Sequence, residues 1–164
     1  MLKRFLATDP SKTLFAQRAL LGAVMLPHGA QKLLGLFGGY GFSGTMGYFT
    51  GTMHLPWLLA FLVVLSESIG SVLLIVGFCT RLAAFGAAAT MIGAVLTTHL
   101  HVGFFMNWFG AQTGEGFEYH LLALALAVPL VVRGGGAWAL DRRWLGSLRH
   151  SASSRRRDAV SHAS

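Results

Sequence analysis

The sequence predicts an all-α polytopic membrane protein, a bundle of four transmembrane helices. Hydrophobic residues make up 54% of the 164 and charged residues only 12%, with a mean hydropathy of +0.58, well beyond an ordinary soluble domain. The apolar residues also fall into four runs, each near the roughly 20 residues that cross a hydrocarbon core as a helix. Strands are excluded because the runs are continuous and rich in Leu and Ala, whereas membrane strands are about ten residues long and alternate in polarity.

The first run covers residues 14–34. Lys3, Arg4 and Lys12 precede it as they would a signal peptide, but Arg18 interrupts the stretch and the run is too long for one, so it reads as a retained helix. The second and third, 55–78 and 82–100, are separated by a tight turn holding Arg81; the fourth, 118–132, is the shortest. Lys and Arg near span ends tend to stay cytoplasmic. Beyond the fourth run come Arg133, Arg142, Arg143, Arg149 and Arg155 to Arg157, whereas the connections 35–54 and 101–117 contain no Lys or Arg. Both termini are therefore expected in the cytoplasm, with the two long connections outside.

Past the fourth run, "RGGGAWALDRRWLGSL" opens on a glycine break and sets Trp138 and Trp144 among arginines, which suits a short helix at the membrane interface. Residues 1–148 thus read as the membrane domain, and 149–164, polar and basic, as a disordered tail. The net charge of +7 comes mainly from flanks and tail. No aromatic-interleaved basic surface accompanies it, so nucleic acid is not an expected partner. Cys79 is the single cysteine, which excludes an intrachain disulfide and a four-thiolate iron–sulfur site.

Glycines seven apart, Gly22 and Gly29, Gly70 and Gly77, Gly86 and Gly93, predict seams of close helix packing. At about 100° per residue, Arg18, Gly22, Gly29 and Lys32 share one stripe of the first helix, with His28 on its flank and Gln31 further round. Glu67 shares a face with Gly70 and Ser71 near the bilayer centre. A carboxyl there costs about 2.5–3.5 kcal/mol and needs a partner or a proton; Arg18 is the expected partner. His28, Gln31 and Lys32 lie in the outer half, as do His99 and His101 at the end of the third run and Glu118 and His120 at the start of the fourth. They outline an outward-biased polar pocket. His101 is preferred to His99 because on an ideal helix it stays on the Gly86, Gly93 and Thr97 stripe, and His120 points about 160° away from Glu118. The plainer alternative is that Lys32 snorkels to the headgroups, that His101, Glu118 and His120 sit in water, and that Arg18 and Glu67 form a structural pair.

The stretches "RALLGAVMLPHGAQKLLGLFGGYGFSGT" from Arg18, "SESIGSVLLIVGFCTR" from Ser66, "HLHVGFF" from His99, "EYHLL" from Glu118 and "GGGAWALD" from Gly134 resemble the DoxX family of small four-helix membrane proteins. The resemblance implies a bacterial or archaeal inner-membrane protein and a component of a quinone-linked redox assembly. A quinone ring needs donors to its two carbonyl oxygens and a proton carrier. His28 and Glu67 are the catalytic candidates, and Arg18, Gln31, Lys32, His99, His101, Glu118 and His120 the substrate-binding ones. The expected co-substrate is a quinone or quinol; haem between His28 and His99 or His101 is a second option, and no metal site is expected. No dinucleotide fingerprint follows a strand, since the glycines of "GLFGGYGFSG" follow a membrane helix, so electrons would come from a redox partner protein or a diffusible reductant. Lipid, that partner and a second copy of the chain are the associations considered. The competing function is a noncatalytic scaffold or small-solute permeation protein, although the halves show no convincing repeat.

Overall fold

The computed structural model describes residues 6–145, and the regular elements among them are helical. Helix α1, Lys12–Leu34, starts on Ser11, whose hydroxyl accepts the Leu14 N–H at 3.3 Å. It stops at Gly35, left-handed at φ 73° with its N–H on the Ala30 carbonyl; a hydroxyl cap and a glycine end are the chemistry that helix termini favour. Pro27 lies inside α1, an interruption that packed neighbours support in apolar surroundings. Helix α2, Gly41–Gly47, runs into one wide turn, Tyr48–Thr52. The sequence reading treated this glycine-rich segment only as a connection. Helices α3, Trp57–Val76, α4, Thr80–Ala94, and α5, Glu118–Arg133, follow. A second wide turn, Val95–His99, extends α4. The four predicted runs match α1, α3, α4 with its extension, and α5 to within two residues at each end.

Helix α1 packs on α3 and α5, and α4 packs on the same two. Between them lies a core of Leu14, Leu21 and Met25 from α1, Leu74 from α3, a row of alanines with Met91 from α4, and Ala123, Ala127 and Leu130 from α5. Alanine against alanine brings α4 and α5 close, as apolar helices require when no water drives them together. The α1 seam behaves as predicted. A Cβ on Gly22 would come within 2.8 Å of the Ser71 carbonyl, and one on Gly29 would overlap the Glu67 and Ser68 backbone. Gly93 contributes nothing to such a seam, since a Cβ there meets no atom within 4 Å.

Two helical segments are long and apolar enough to cross a membrane, Trp57–Val76 and Thr80–His99; Lys12–Leu34 with Leu36–Thr52 makes a third if that pair, bent by 94°, is one span. Leu58, Leu59, Leu62, Ile69 and Val72 are exposed on α3, an apolar outer surface that fits lipid and not water. This is a membrane protein.

At the end of the helices where Arg81 lies, residues 134–145 fold back beneath the core. Asp141 accepts the Cys79 and Thr80 N–H groups at 2.7 and 2.9 Å and so caps α4 from 62 residues away. Burial, aided by the Asp141 carboxylate, raises the Cys79 thiol above its usual range. A thiol so raised keeps its proton in the folded state after an unfolded one has lost it, so this group lowers stability as pH climbs past the unfolded value. Iodoacetamide at pH 8 is therefore expected to alkylate Cys79 more slowly in the folded protein than in the denatured chain, and faster in Asp141→Asn than in wild type. Equal rates in all three would contradict the cause assigned. A short helix, as expected after the glycine break, runs from residue 140 through residue 145, and the 149–164 tail lies outside the described residues.

Candidate functional site

Glu67 of α3 and Lys32 of α1 form a salt bridge. Their Oε2 and Nζ atoms are 2.6 Å apart, with Glu67 buried and the Lys32 side chain 25% exposed. The antiparallel register explains the pairing. Gly29 touches the Glu67 backbone and Gly22 touches Ser71 and Ile75, so Lys32 lies one turn of α1 beyond the level of Glu67. Arg18 lies three turns before it, roughly 16 Å at 1.5 Å per residue. The expected Arg18–Glu67 pair is thus corrected to Lys32–Glu67: Arg18 and Glu67 do share the inward side of α1 and α3, but Arg18 lies too far along α1 to reach Glu67.

A second group comes from α4 and α5. The His99 and His120 rings pack at 4.2 Å between centroids, inclined by 43°; His99 Nδ1 lies 2.8 Å from the Glu115 carbonyl. His120 is buried, and its Nδ1 makes no well-formed hydrogen bond. Tyr119 stands beside it, 5.7 Å from the His120 ring and 6.2 Å from the His28 ring, with its hydroxyl donating to Met25 Sδ at 3.5 Å and within electrostatic reach of Glu67. The preference for His101 over His99 is reversed. The wide turn Val95–His99 adds a residue to the local repeat, which turns His99 toward α5 and leaves His101 exposed.

The remaining candidates occupy the rim. His28 is exposed on α1. Gln31 Nε2 donates to the Phe37 carbonyl at 3.3 Å, tying the bend after α1. Glu118 Oε2 accepts the Met106 N–H at 3.4 Å, apart from His120 as the helix angle predicted. Among the described residues, no three His, Cys, Asp or Glu side chains converge as a metal ion would require.

The DoxX family model matches residues 13–100, the stretch that carries Arg18, His28, Gln31, Lys32, Glu67 and His99. The chain belongs to the DoxX family. It is similar to the Bacillus subtilis (strain 168) protein named "Putative oxidoreductase CatD", with 31% identity over 124 residues, covering 76% of this chain and 81% of the relative. No solved structure gives a significant match.

In this DoxX protein Arg18 belongs to the far end. It is 1% exposed and its guanidinium donates to the Gly135 carbonyl at 2.7 Å, to Leu74 at 2.9 Å, to Ala137 at 3.3 Å and to Ile75. Leu74 and Ile75 lie in the last turn of α3, at the negative end of its dipole, and the Leu74 carbonyl also accepts the Gly77 N–H at 3.2 Å. Arg81 treats α5 the same way, donating to Val131 and Val132 at 2.8 and 2.5 Å. Both helices that run toward this end finish on an arginine from a neighbour.

Tyr119 and Asp141 were missed by sequence reasoning. Tyr119 sits between Glu118 and His120 in "EYHLL", where attention fell on ionisable groups and passed over a phenol. The signal for Asp141 was an acid standing alone in a basic flank.

Proposed function

We propose that this DoxX protein is the integral subunit of a quinone- or quinol-linked oxidoreductase system in a bacterial or archaeal inner membrane. The single observation that carries this reading is the gathering, at one end of an apolar helix assembly, of an ion pair, a phenol and two imidazoles in contact. Lys32 and Tyr119 can donate to ring oxygens, Glu67 can hold a proton, and the buried His120 Nδ1 lacks a well-formed hydrogen-bond partner. His28, on the exposed side of α1 next to Tyr119, is placed where a head group arriving from lipid would first meet a polar atom. A quinone, when bound, supplies the two-electron chemistry; these residues bind, orient and exchange protons with it. The redox-related name of the relative agrees with this reading. A self-satisfied Lys32–Glu67 pair favours the second reading, a noncatalytic scaffold.

The test is a ubiquinone or menaquinone analogue titrated into purified protein. His28→Ala is expected to weaken binding by about 1–3 kcal/mol, the range for stranding a buried hydrogen-bond partner, and Glu67→Gln to weaken it too, with folding kept. Equal affinity in wild type and both variants would leave the scaffold reading in possession.

In the same proposal α1, α3, α4 and α5 all cross the bilayer as a four-helix bundle with both termini cytoplasmic, following the distribution of Lys and Arg. Gln112→Cys is then expected to react with an impermeant maleimide in intact spheroplasts when Cys79 is replaced. Protection there, with labelling only after lysis, would reverse the orientation.

A further inference from the structure

The end of the fold where His99 lies carries a second feature, separate from the polar cluster. After α1 the chain bends by 94°, so the segment Leu36–Thr52 lies across the helix ends. Its inner side buries Met46 with Ala60 and Val64 of α3 and sets Phe42 edge-on to Phe61 at 6.4 Å. Its outer side leaves Phe37 and Tyr40 exposed, at 71% and 82%.

The connection between α4 and α5 does the same with a different backbone. Asn107 braces it, its side chain accepting the Gln112 N–H at 3.0 Å and donating to the Gln112 carbonyl at 3.2 Å, while its own N–H reaches Glu115 Oε2 at 2.8 Å. Phe117 N–H donates to the Gly103 carbonyl at 3.1 Å. On this braced loop Phe105, Trp108 and Phe109 point away from the protein, Trp108 at 75% and Phe109 at 96% exposure. A backbone this tightly tied does not present three large apolar side chains outward by slackness.

We infer that these two segments form one lipid-binding crown: Phe37, Tyr40, Phe105, Trp108 and Phe109 seat in the headgroup-to-acyl boundary of the leaflet at the His99 end. Three observations select lipid as the occupant. The patch continues the apolar outer surface of α3, which begins beside it at Trp57 and Leu58. Neither segment carries a Lys or Arg, and Glu115 and Glu118 accept backbone N–H groups within the loop, so the patch offers a charged partner little to pair with. The side chains are also the mixture of Trp, Tyr and Phe that settles where one end of a ring is wet and the other apolar. The leaflet is defined by the helix end, so the inference holds for either orientation and without a quinone. Its consequence is that the rim around His28 lies below headgroup level and opens to lipid.

The experiment uses the full chain with Cys79→Ser. Phe109→Cys, Trp108→Cys and, as a polar reference in the same loop, Gln112→Cys are each labelled with the fluorophore NBD and reconstituted in phosphatidylcholine nanodiscs. The labels at 108 and 109 are expected to emit to the blue of the label at 112, to be quenched by doxyl-phosphatidylcholine, and to be several-fold less quenched by aqueous iodide. Iodide quenching equal to that at 112 would place the loop in water and overturn the inference. Protection from both quenchers would assign the patch to a protein contact, a second copy or another chain, and would overturn it equally. Both side chains touch little protein, so either variant alone decides if the other fails to fold.

Discussion

Arg18→Met is expected to lower the stability of the protein by at least about 2 kcal/mol, since two or more buried carbonyls lose their donor at about 1–3 kcal/mol each. The four acceptors come from two segments that the guanidinium bridges, the last turn of α3 and the glycine turn after α5. Arg18→Lys keeps the charge but not the planar fork, and an ammonium on a shorter reach cannot serve both segments. It should fall between Met and wild type. Thermal unfolding in detergent measures the series. A Met variant that melts with wild type would mean that water or relaxed backbone replaces the arginine at no cost.

Gly29→Ala should be the most damaging single methyl in the molecule. The added carbon would enter the backbone of α3 at Glu67 and Ser68, where nothing flexible can give way, so α1 and α3 must part. Overpacking costs about 1–3 kcal/mol when side chains can adjust, and occasionally more; a backbone obstacle places this site at the upper end. The same separation would open the 2.6 Å Lys32–Glu67 contact and, under the proposed function, weaken ligand binding in whatever fraction stays folded. Gly93→Ala is the matched control. With nothing within 4 Å of its Cβ and alanine favoured over glycine by about 1 kcal/mol in a helix, it should be neutral or stabilising. If the two variants melt alike, the close approach at Gly29 does not hold the helices together.

The helix positions were legible because each run is continuous, apolar and bounded by charge or glycine, and such runs have few alternatives in a bilayer. The inward stripe of α1 was legible for the same reason, since rotation about a helix axis follows from spacing alone. Depth did not. Matching Glu67 to Lys32 and not to Arg18 depends on how far α3 slides along α1, which the contact at Gly29 sets and no periodicity reports. The histidines failed differently. An ideal 3.6-residue repeat carried through Val95–His99 puts His101 inside, and the wide turn there places His99 against His120 instead. Polar side chains that serve backbone, such as Arg18 and Asp141, read in sequence like those that serve a ligand, because the chemistry of the side chain is the same and only its partner differs.

The acceptors of Arg18 also impose an order on biogenesis. Arg18 leaves the ribosome early in the first helix, whereas Gly135 and Ala137 are translated 117 and 119 residues later. Throughout that interval the nascent first helix holds a charge for which two of the four final acceptors do not yet exist. Any chain that terminates before Gly135 leaves that guanidinium only the Leu74 and Ile75 carbonyls, so the first helix reaches its final hydrogen bonding only when the last segment has been made.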